Sequence, residues 1–79
     1  MKLDETIEVM RKISEFKSNG DLKTPQISIF DTQSKDNGYW LYVRAYSGKS
    51  ELFDHIEKIT ETRNLYVRKF EDYFGIQSR

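Results

Sequence analysis

The chain has 79 residues, of which 13 are Lys or Arg and 13 are Asp or Glu, so its formal net charge is zero. This length corresponds to a single domain, residues 1–79, near the lower limit for folding without covalent staples. The absence of cysteine excludes disulfides, thiolate nucleophiles and cysteine-based zinc sites. Because small secreted domains usually carry disulfides, we expect a cytoplasmic protein, and no apolar run approaches the length of a membrane span.

Residues 3–17 predict an amphipathic helix. Apolar side chains recur there at three- and four-residue steps, which places them on one helical face. Asp4 is positioned to cap the start, and Asn19-Gly20 is a stop signal. The predicted buried stripe consists of Leu3, Ile7, Met10, Ile13 and Phe16, with Val9 on its flank.

A pair of strands is predicted after the connector that ends at Pro25. Residues 26–32 are rich in β-branched and aromatic side chains, which indicates a strand. Residues 39–46, Tyr-Trp-Leu-Tyr-Val-Arg-Ala-Tyr, predict the most pronounced strand of the chain. Between the two strands, Asn37-Gly38 favours a two-residue hairpin turn.

The second half predicts a helix over residues 51–63, capped by Ser50, and a strand over residues 65–70. Glu71-Asp72 then turns the chain into an optional short strand, residues 73–76. The order α-β-β-α-β(-β) predicts an α+β two-layer sandwich, with two helices and an antiparallel sheet of three or four strands. The predicted core of this second half and of the central strand is Leu41, Val43, Leu52, Phe53, Ile56, Ile59, Leu65 and Val67.

The two sides of the predicted central strand differ in composition. Side chains alternate along a strand, so Leu41 and Val43 share one side, while the opposite side, the aromatic face, carries Trp40, Tyr42, Arg44 and Tyr46. With a two-residue turn, Asp31 would lie opposite Arg44, and Ile27 and Ile29 would join the aromatic face. A loop longer by one residue would move both isoleucines to the other side.

Three arrangements are compatible with a sheet that is apolar on both sides. The two helices could cover opposite sides, which would make each side ordinary core, and we favour this arrangement. Alternatively, both helices cover the Leu41 and Val43 side, and the aromatic face is either a homodimer interface or an open binding surface. Aromatic residues together with arginine are typical of binding hot spots.

Gly48-Lys49-Ser50, between a strand and a helix, matches the end of a phosphate-binding P-loop. That loop also needs a glycine five residues before Gly48, where this chain has Val43. We therefore interpret the segment as a strand-to-helix turn. A weak anion site at the helix N-terminus stays compatible with it.

Metal binding and catalysis find little support in the sequence. Asp31, Asp36, Asn37 and Gly38 lack the spacing and the bidentate Glu of a calcium loop, and they suit turn formation. His55 is the only histidine, and no nucleophile or orienting partner is recognisable beside it. We expect no catalytic residue, metal or cofactor, and hence not an enzyme.

The sequence therefore predicts a small non-catalytic interaction module that binds a protein partner, or a second copy of itself, through the aromatic face. The alternative is single-stranded nucleic-acid binding on the same face, where aromatic rings would stack with bases. The balanced charge argues against this alternative, because nucleic-acid binders normally have a basic excess. The candidate binding residues are Trp40, Tyr42, Arg44, Tyr46, Tyr66 and Arg68.

Overall fold

The described residues form two α-helices and four β-strands in the order α-β-β-α-β-β. A computed structural model describes residues 1–16, 25–45 and 48–78. The helices are α1 (Leu3–Ser14) and α2 (Lys49–Glu61), and the strands are β1 (Gln26–Asp31), β2 (Tyr39–Arg44), β3 (Leu65–Lys69) and β4 (Phe74–Ser78). All pairings are antiparallel, in the strand order β1-β2-β4-β3. The predicted α+β class and element order are confirmed, including the optional final strand.

β4 occupies the middle of the sheet although it is the last strand of the chain. Since β2 and β3 each run antiparallel to β4, they run in the same direction, and α2 connects them as a crossover. A tight turn, in which the Phe70 N–H donates to the Tyr73 carbonyl at 2.9 Å, returns β4 into the gap. Phe74 and Ile76 thereby enter the core, which the sequence analysis did not predict.

Both helices lie on one side of the sheet, which we call the inner face. α1 packs over β1 and β2, α2 packs over β3, and the helices contact each other. The fully buried residues of β2 and β4 also share this side, because Leu41 pairs with Ile76 and Val43 with Phe74. The favoured arrangement, with the helices on opposite sides, is therefore wrong. The aromatic face belongs to the outer face, the side of the sheet away from the helices.

The loop between β1 and β2 is longer than a two-residue turn. It runs from Thr32 to Gly38. Gly38 has a positive φ of 62°, a conformation that glycine adopts without steric cost. The Met1 carbonyl accepts the Tyr39 N–H at 2.8 Å, and the Met1 ammonium donates to the carbonyls of Asn37 and Tyr39 at 2.9 Å each. A side chain at position 38 would collide with the Met1 carbonyl oxygen. The glycine is therefore required by both conformation and space.

This loop sets a register that differs from the two-residue-turn hypothesis. Asp31 lies opposite Tyr39 and Phe30 opposite Trp40, so the predicted pairing of Asp31 with Arg44 is wrong. The longer loop shifts the pairing by an odd number of positions, which exchanges the two sides of β1 relative to β2. The residues brought to the inner face are Ile27 and Ile29, and Phe30 joins the outer face.

α1 is rotated relative to the predicted stripe. Its fully buried residues are Thr6, Val9 and Ile13, whereas Leu3 is 47% and Ile7 37% exposed. The Thr6 hydroxyl donates to the backbone carbonyl of residue 2 at 2.7 Å, so the threonine enters the core with its polar group satisfied. The prediction that Leu3 and Ile7 belong to the core is wrong, while Met10 and Phe16 pack against it partly buried.

The helix caps also differ from the predictions. α1 starts at Leu3, so Asp4 lies within its first turn and does not cap it. α2 starts at Lys49 after Gly48, which has a positive φ of 63°, and Ser50 lies inside the helix without a capping hydrogen bond. α1 ends at Ser14, and the predicted Asn19-Gly20 stop falls outside the described residues.

Candidate functional site

The outer face combines aromatic and cationic side chains and carries no carboxylate at its strand positions. Residues that pair across strands share a side, and sides alternate along each strand. Although the chain has as many acidic as basic residues, two arginines and no Asp or Glu occupy these positions. The outward strand positions are Gln26, Ser28, Phe30, Trp40, Tyr42, Arg44, Tyr66, Arg68, Gly75 and Gln77.

A run of aromatic contacts crosses this surface. Phe30 contacts both Trp40 and Tyr42, at ring-centroid distances of 6.2 and 6.1 Å. The Tyr42 ring meets Tyr73 edge-on at 5.4 Å, and Tyr73 stacks on Phe70 at 4.6 Å. These distances are typical of favourable aromatic pairs. The rings therefore form one connected layer from β1 to the β3–β4 turn.

Arg68 extends the ring layer with a positive charge. Its guanidinium carbon lies 5.5 Å from the centroid of the Phe70 ring, within the range of a cation–π interaction. The side chain is exposed, so part of the guanidinium remains available to an external ligand. The arrangement resembles an interface hot spot in composition, since arginine and aromatic residues dominate such sites.

Gly75 allows the rings to approach the middle of the sheet closely. It lies between Tyr42 and Arg68 in the strand register. A Cβ atom at this position would lie 3.2 Å from the Phe70 ring and 3.6 Å from the Tyr42 ring. The glycine is buried beneath these rings. The missing side chain therefore lets rings from neighbouring elements close over β4.

One end of the outer face holds an open cavity of ≈ 400 Å³. Tyr42 and Tyr73 supply aromatic wall, while the side chains of the other lining residues offer amide, hydroxyl and guanidinium groups. A cavity of this size accepts one large side chain or a small planar group. Its lining residues are Gln26, Ser28, Tyr42, Arg44 and Tyr73.

The structure brings together most of the predicted binding residues. Trp40 and Tyr42 lie half-buried within the ring layer, and Arg44 is exposed at the cavity. Tyr66 and Arg68 lie on β3, on the same side of the sheet but beyond β4. The sixth predicted residue, Tyr46, lies outside the described residues.

Sequence reasoning missed three rings of the layer: Phe30, Phe70 and Tyr73. Phe30 was uncertain because its side depended on the length of the hairpin loop. The other two continue alternating patterns, Tyr66-Arg68-Phe70 on one strand and Tyr73-Gly75-Gln77 on the next. Applying the alternation to every residue of the predicted strands, 65–70 and 73–76, would have placed both rings on the outer face.

The other candidate residues make structural contacts. The Lys49 ammonium donates to the Glu71 carbonyl at 2.7 Å, which ties the start of α2 to the β3–β4 turn. His55 Nε2 lies 3.0 Å from the Lys12 carbonyl of α1, and its ring contacts Phe16 at 5.4 Å. Since a carbonyl only accepts, the Nε2–H group donates in this hydrogen bond. His55 therefore caps the end of α1.

An ion pair forms a second contact between α1 and the region of α2, in addition to the His55 contact. The Arg63 guanidinium donates to the Glu8 carboxylate at 2.8 Å. This hydrogen bond, and then the positive charge of Arg63, lower the pKa of Glu8 below its ordinary value of 4.5. The ion pair lies on the helix side of the molecule, away from the outer face. The pair links α1 to the turn that follows α2.

No metal-binding cluster is present in the described parts of the chain, where no three His, Asp or Glu side chains converge. No helix among these residues is long and apolar enough to cross a membrane.

The chain matches no protein-family model, and no curated protein or solved structure is significantly similar to it. Functional inference therefore rests on the outer face itself.

Proposed function

We propose that this protein is a small non-catalytic interaction module that binds a partner protein through its outer face. The observation that carries the proposal is the position of α1 and α2 on the inner face, so that neither helix of the described residues covers the ring layer. A sheet side that faces only water usually presents polar residues. Here it presents Phe30 and Tyr66 exposed and four further rings half-buried.

Three features support a protein as the partner. The ring layer with Arg68 provides the aromatic and arginine anchors of a hot spot. The cavity beside Tyr42 can receive a projecting side chain, which gives specificity. The rings also support one another through edge and stacked contacts, so binding would immobilise few additional rotamers. The cysteine-free composition favours a cytoplasmic setting for this interaction.

The proposal predicts how accessible Trp40 is. This residue is the only tryptophan, and it lies half-buried on the outer face. In the purified monomer we expect its fluorescence to be quenched by iodide, and a bound partner should protect it. Blue-shifted emission that iodide cannot quench in the monomer would show that the outer face is covered, which contradicts the proposal.

A site-specific photo-crosslink identifies the partner. Benzoylphenylalanine replaces the exposed Tyr66 on the outer face or, as a control, the exposed Glu57 on α2. We expect a discrete protein adduct from position 66 in cells, absent from position 57, and abolished by the added surface substitutions Phe30→Ser or Arg68→Ala. Adducts that are the same at both positions, or that survive these substitutions, would contradict the proposal.

A second candidate function is single-stranded nucleic-acid binding, favoured by the absence of carboxylates from the outward strand positions. Bases would stack on exposed rings while Arg44 and Arg68 contact phosphates. Oligonucleotide titrations of Trp40 fluorescence at low and moderate salt test this function. Binding that weakens steeply with salt, with a shallower salt dependence in Arg44→Ala, would support it. No response at low salt would remove it.

A further inference from the structure

The edge of the sheet at β1 offers backbone hydrogen-bonding groups in a defined pattern. β1 is a terminal strand and pairs, among the described residues, with β2. The Thr32 N–H donates to the Gly38 carbonyl, and hydrogen-bonded pairs alternate along an antiparallel ladder. The even-numbered residues of β1 therefore bond to β2. The backbone groups of Ile27, Ile29 and Asp31 point towards the open edge.

The two edges of the sheet differ in how they discourage pairing with another strand. β3, the opposite edge, ends in Arg68 and Lys69, and such long cationic side chains are a common protection of edge strands. β1 has no Lys, Arg or Pro within its bounds, and its single charge is Asp31 at the end. The β1 edge is therefore the less protected of the two.

Exposed apolar side chains concentrate beside this edge. Ile29 is 41% exposed on the inner side of β1, and Phe30 is exposed on the outer side. One flank of α1 contacts Arg63 and His55. Leu3 and Ile7 lie on the opposite flank of the helix. Since α1 packs over β1 and β2, this flank faces the β1 side. Of the five large exposed apolar residues in the described parts of the chain, only Tyr66 lies elsewhere.

We propose that β1 pairs antiparallel with β1 of a second copy of this chain, with a two-fold axis through Ser28. The outward backbone groups are on odd-numbered residues, so hydrogen-bonded pairs must join odd positions. An axis at Ser28 places Ile27 opposite Ile29 of the other copy on the inner side. The two small Ser28 side chains then meet in a non-hydrogen-bonded pair, where strands approach most closely.

Charge favours this register over the two registers that are displaced towards Asp31. An axis at Ile29 would place Asp31 opposite Ile27 of the other copy, and an axis at Phe30 would place Asp31 opposite Ile29. Both alternatives bring a carboxylate against an isoleucine, whereas the Ser28 axis moves Asp31 beyond the apolar contacts. The pairing ends there, because Pro25 of the other copy, which faces Asp31, has no N–H to donate. The strand is thus complementary to itself, which supports a second copy as the occupant.

The pairing would join two sheets into one of eight strands. The outer faces of the two copies would become continuous, with Phe30 of each copy next to Gln26 of the other. The exposed Leu3 and Ile7 would approach their counterparts above the joint. The inference concerns the backbone edge of β1, whereas the proposed function concerns the outer face. Ser28 and Phe30 border both surfaces, and the experiments below test the two proposals separately.

A single cysteine tests the register directly, because the chain has none of its own. Opposed residues of a non-hydrogen-bonded pair have Cα atoms about 4.5 Å apart, within the range that a disulfide bridges. We expect Ser28→Cys to form a disulfide-linked dimer under mild oxidation. Ser50→Cys, exposed on α2, is the matched control and should remain largely monomeric. Adding Ile29→Lys to Ser28→Cys should abolish most of the cross-link.

Sedimentation of the wild-type chain and of Ile29→Lys, from about 1 µM to 1 mM, provides the second measurement. We expect concentration-dependent dimers of the wild-type chain and monomers of the variant, with circular dichroism verifying that both are folded. A wild-type monomer throughout, or a Ser28→Cys yield no higher than that of Ser50→Cys, would overturn the inference. Efficient cross-linking of Gln77→Cys instead would indicate association through the outer faces, and would also overturn it. Dimers without a protein adduct from Tyr66 would contradict the proposed function alone.

Discussion

Replacing Ile76 by Ala tests the central position of β4, on which both the core and the outer face depend. Ile76 is fully buried on the inner face, opposite Leu41 on one side and Val67 on the other. An edge strand or a frayed terminal segment would leave the same residue partly in water. The cost of the substitution therefore reports directly where β4 lies in the sheet.

The expected magnitude follows from the burial. Ile→Ala removes three carbon atoms, worth about 2.4 kcal/mol at about 0.8 kcal/mol per buried methylene. The cavity left in a packed core raises this to about 3–5 kcal/mol. A chain of 79 residues has a total stability of about 4–12 kcal/mol. Ile76→Ala is therefore expected to remove a large part of the stability, whereas Gln77→Ala, half-buried on the outer face, should cost less than about 1 kcal/mol.

Urea unfolding followed by circular dichroism and by Trp40 fluorescence measures both variants. Ile76→Val, expected to cost about 0.5–1.5 kcal/mol, keeps the measurement possible if Ile76→Ala does not fold. The midpoint should fall with an unchanged slope. If Ile76→Ala and Gln77→Ala destabilise the fold by the same amount, to within roughly 0.5 kcal/mol, the central position of β4 is refuted.

Three further predictions concern the loop and the helix seam. Gly38→Ala should destabilise the fold by about 2 kcal/mol or more in urea unfolding, because position 38 combines a positive φ with a steric block; a neutral effect would contradict this. Since Arg63 lowers the pKa of Glu8, their interaction stabilises the fold fully above pH 4.5 and is lost as the pH falls through the lower folded value. The Glu8 pKa measured by NMR should rise in Arg63→Gln, and an unchanged value would argue against the ion pair. His55→Ala should cost about 1 kcal/mol through the lost cap and the lost ring contact with Phe16, and a cost below about 0.3 kcal/mol would contradict the capping role.

The number and order of elements could be predicted because they depend on local patterns. Alternation along residues 39–44 placed Trp40 and Tyr42 on one side of the strand and Leu41 and Val43 on the other, and the register bears this out. The same local rule separated Tyr66 and Arg68 from Leu65 and Val67. Alternation needs only the geometry of a single strand, so no knowledge of its neighbours was required.

The rotation of α1 about its own axis, which decides which of its residues are buried, could not be derived in the same way. Its apolar residues span a wide arc that includes Leu3, Ile7, Val9 and Ile13, and several rotations bury a similar amount of apolar surface. Contacts with α2 and with the sheet selected the rotation that buries Val9 and leaves Leu3 exposed. Those contacts join residues far apart in the chain, and the periodicity of one helix carries no information about them.

The sequence alone determined which side chains accompany one another: Trp40 with Tyr42, and Tyr66 with Arg68. The tertiary structure decided that these pairs lie on the same side of the sheet, away from α1 and α2, that β4 passes between them with Gly75, and that β1 is an edge strand among the described residues. The physical reason is the length of chain over which each feature is determined. Side-chain alternation is fixed by backbone geometry within a few residues, whereas strand order and helix placement depend on the packing free energy of the whole chain.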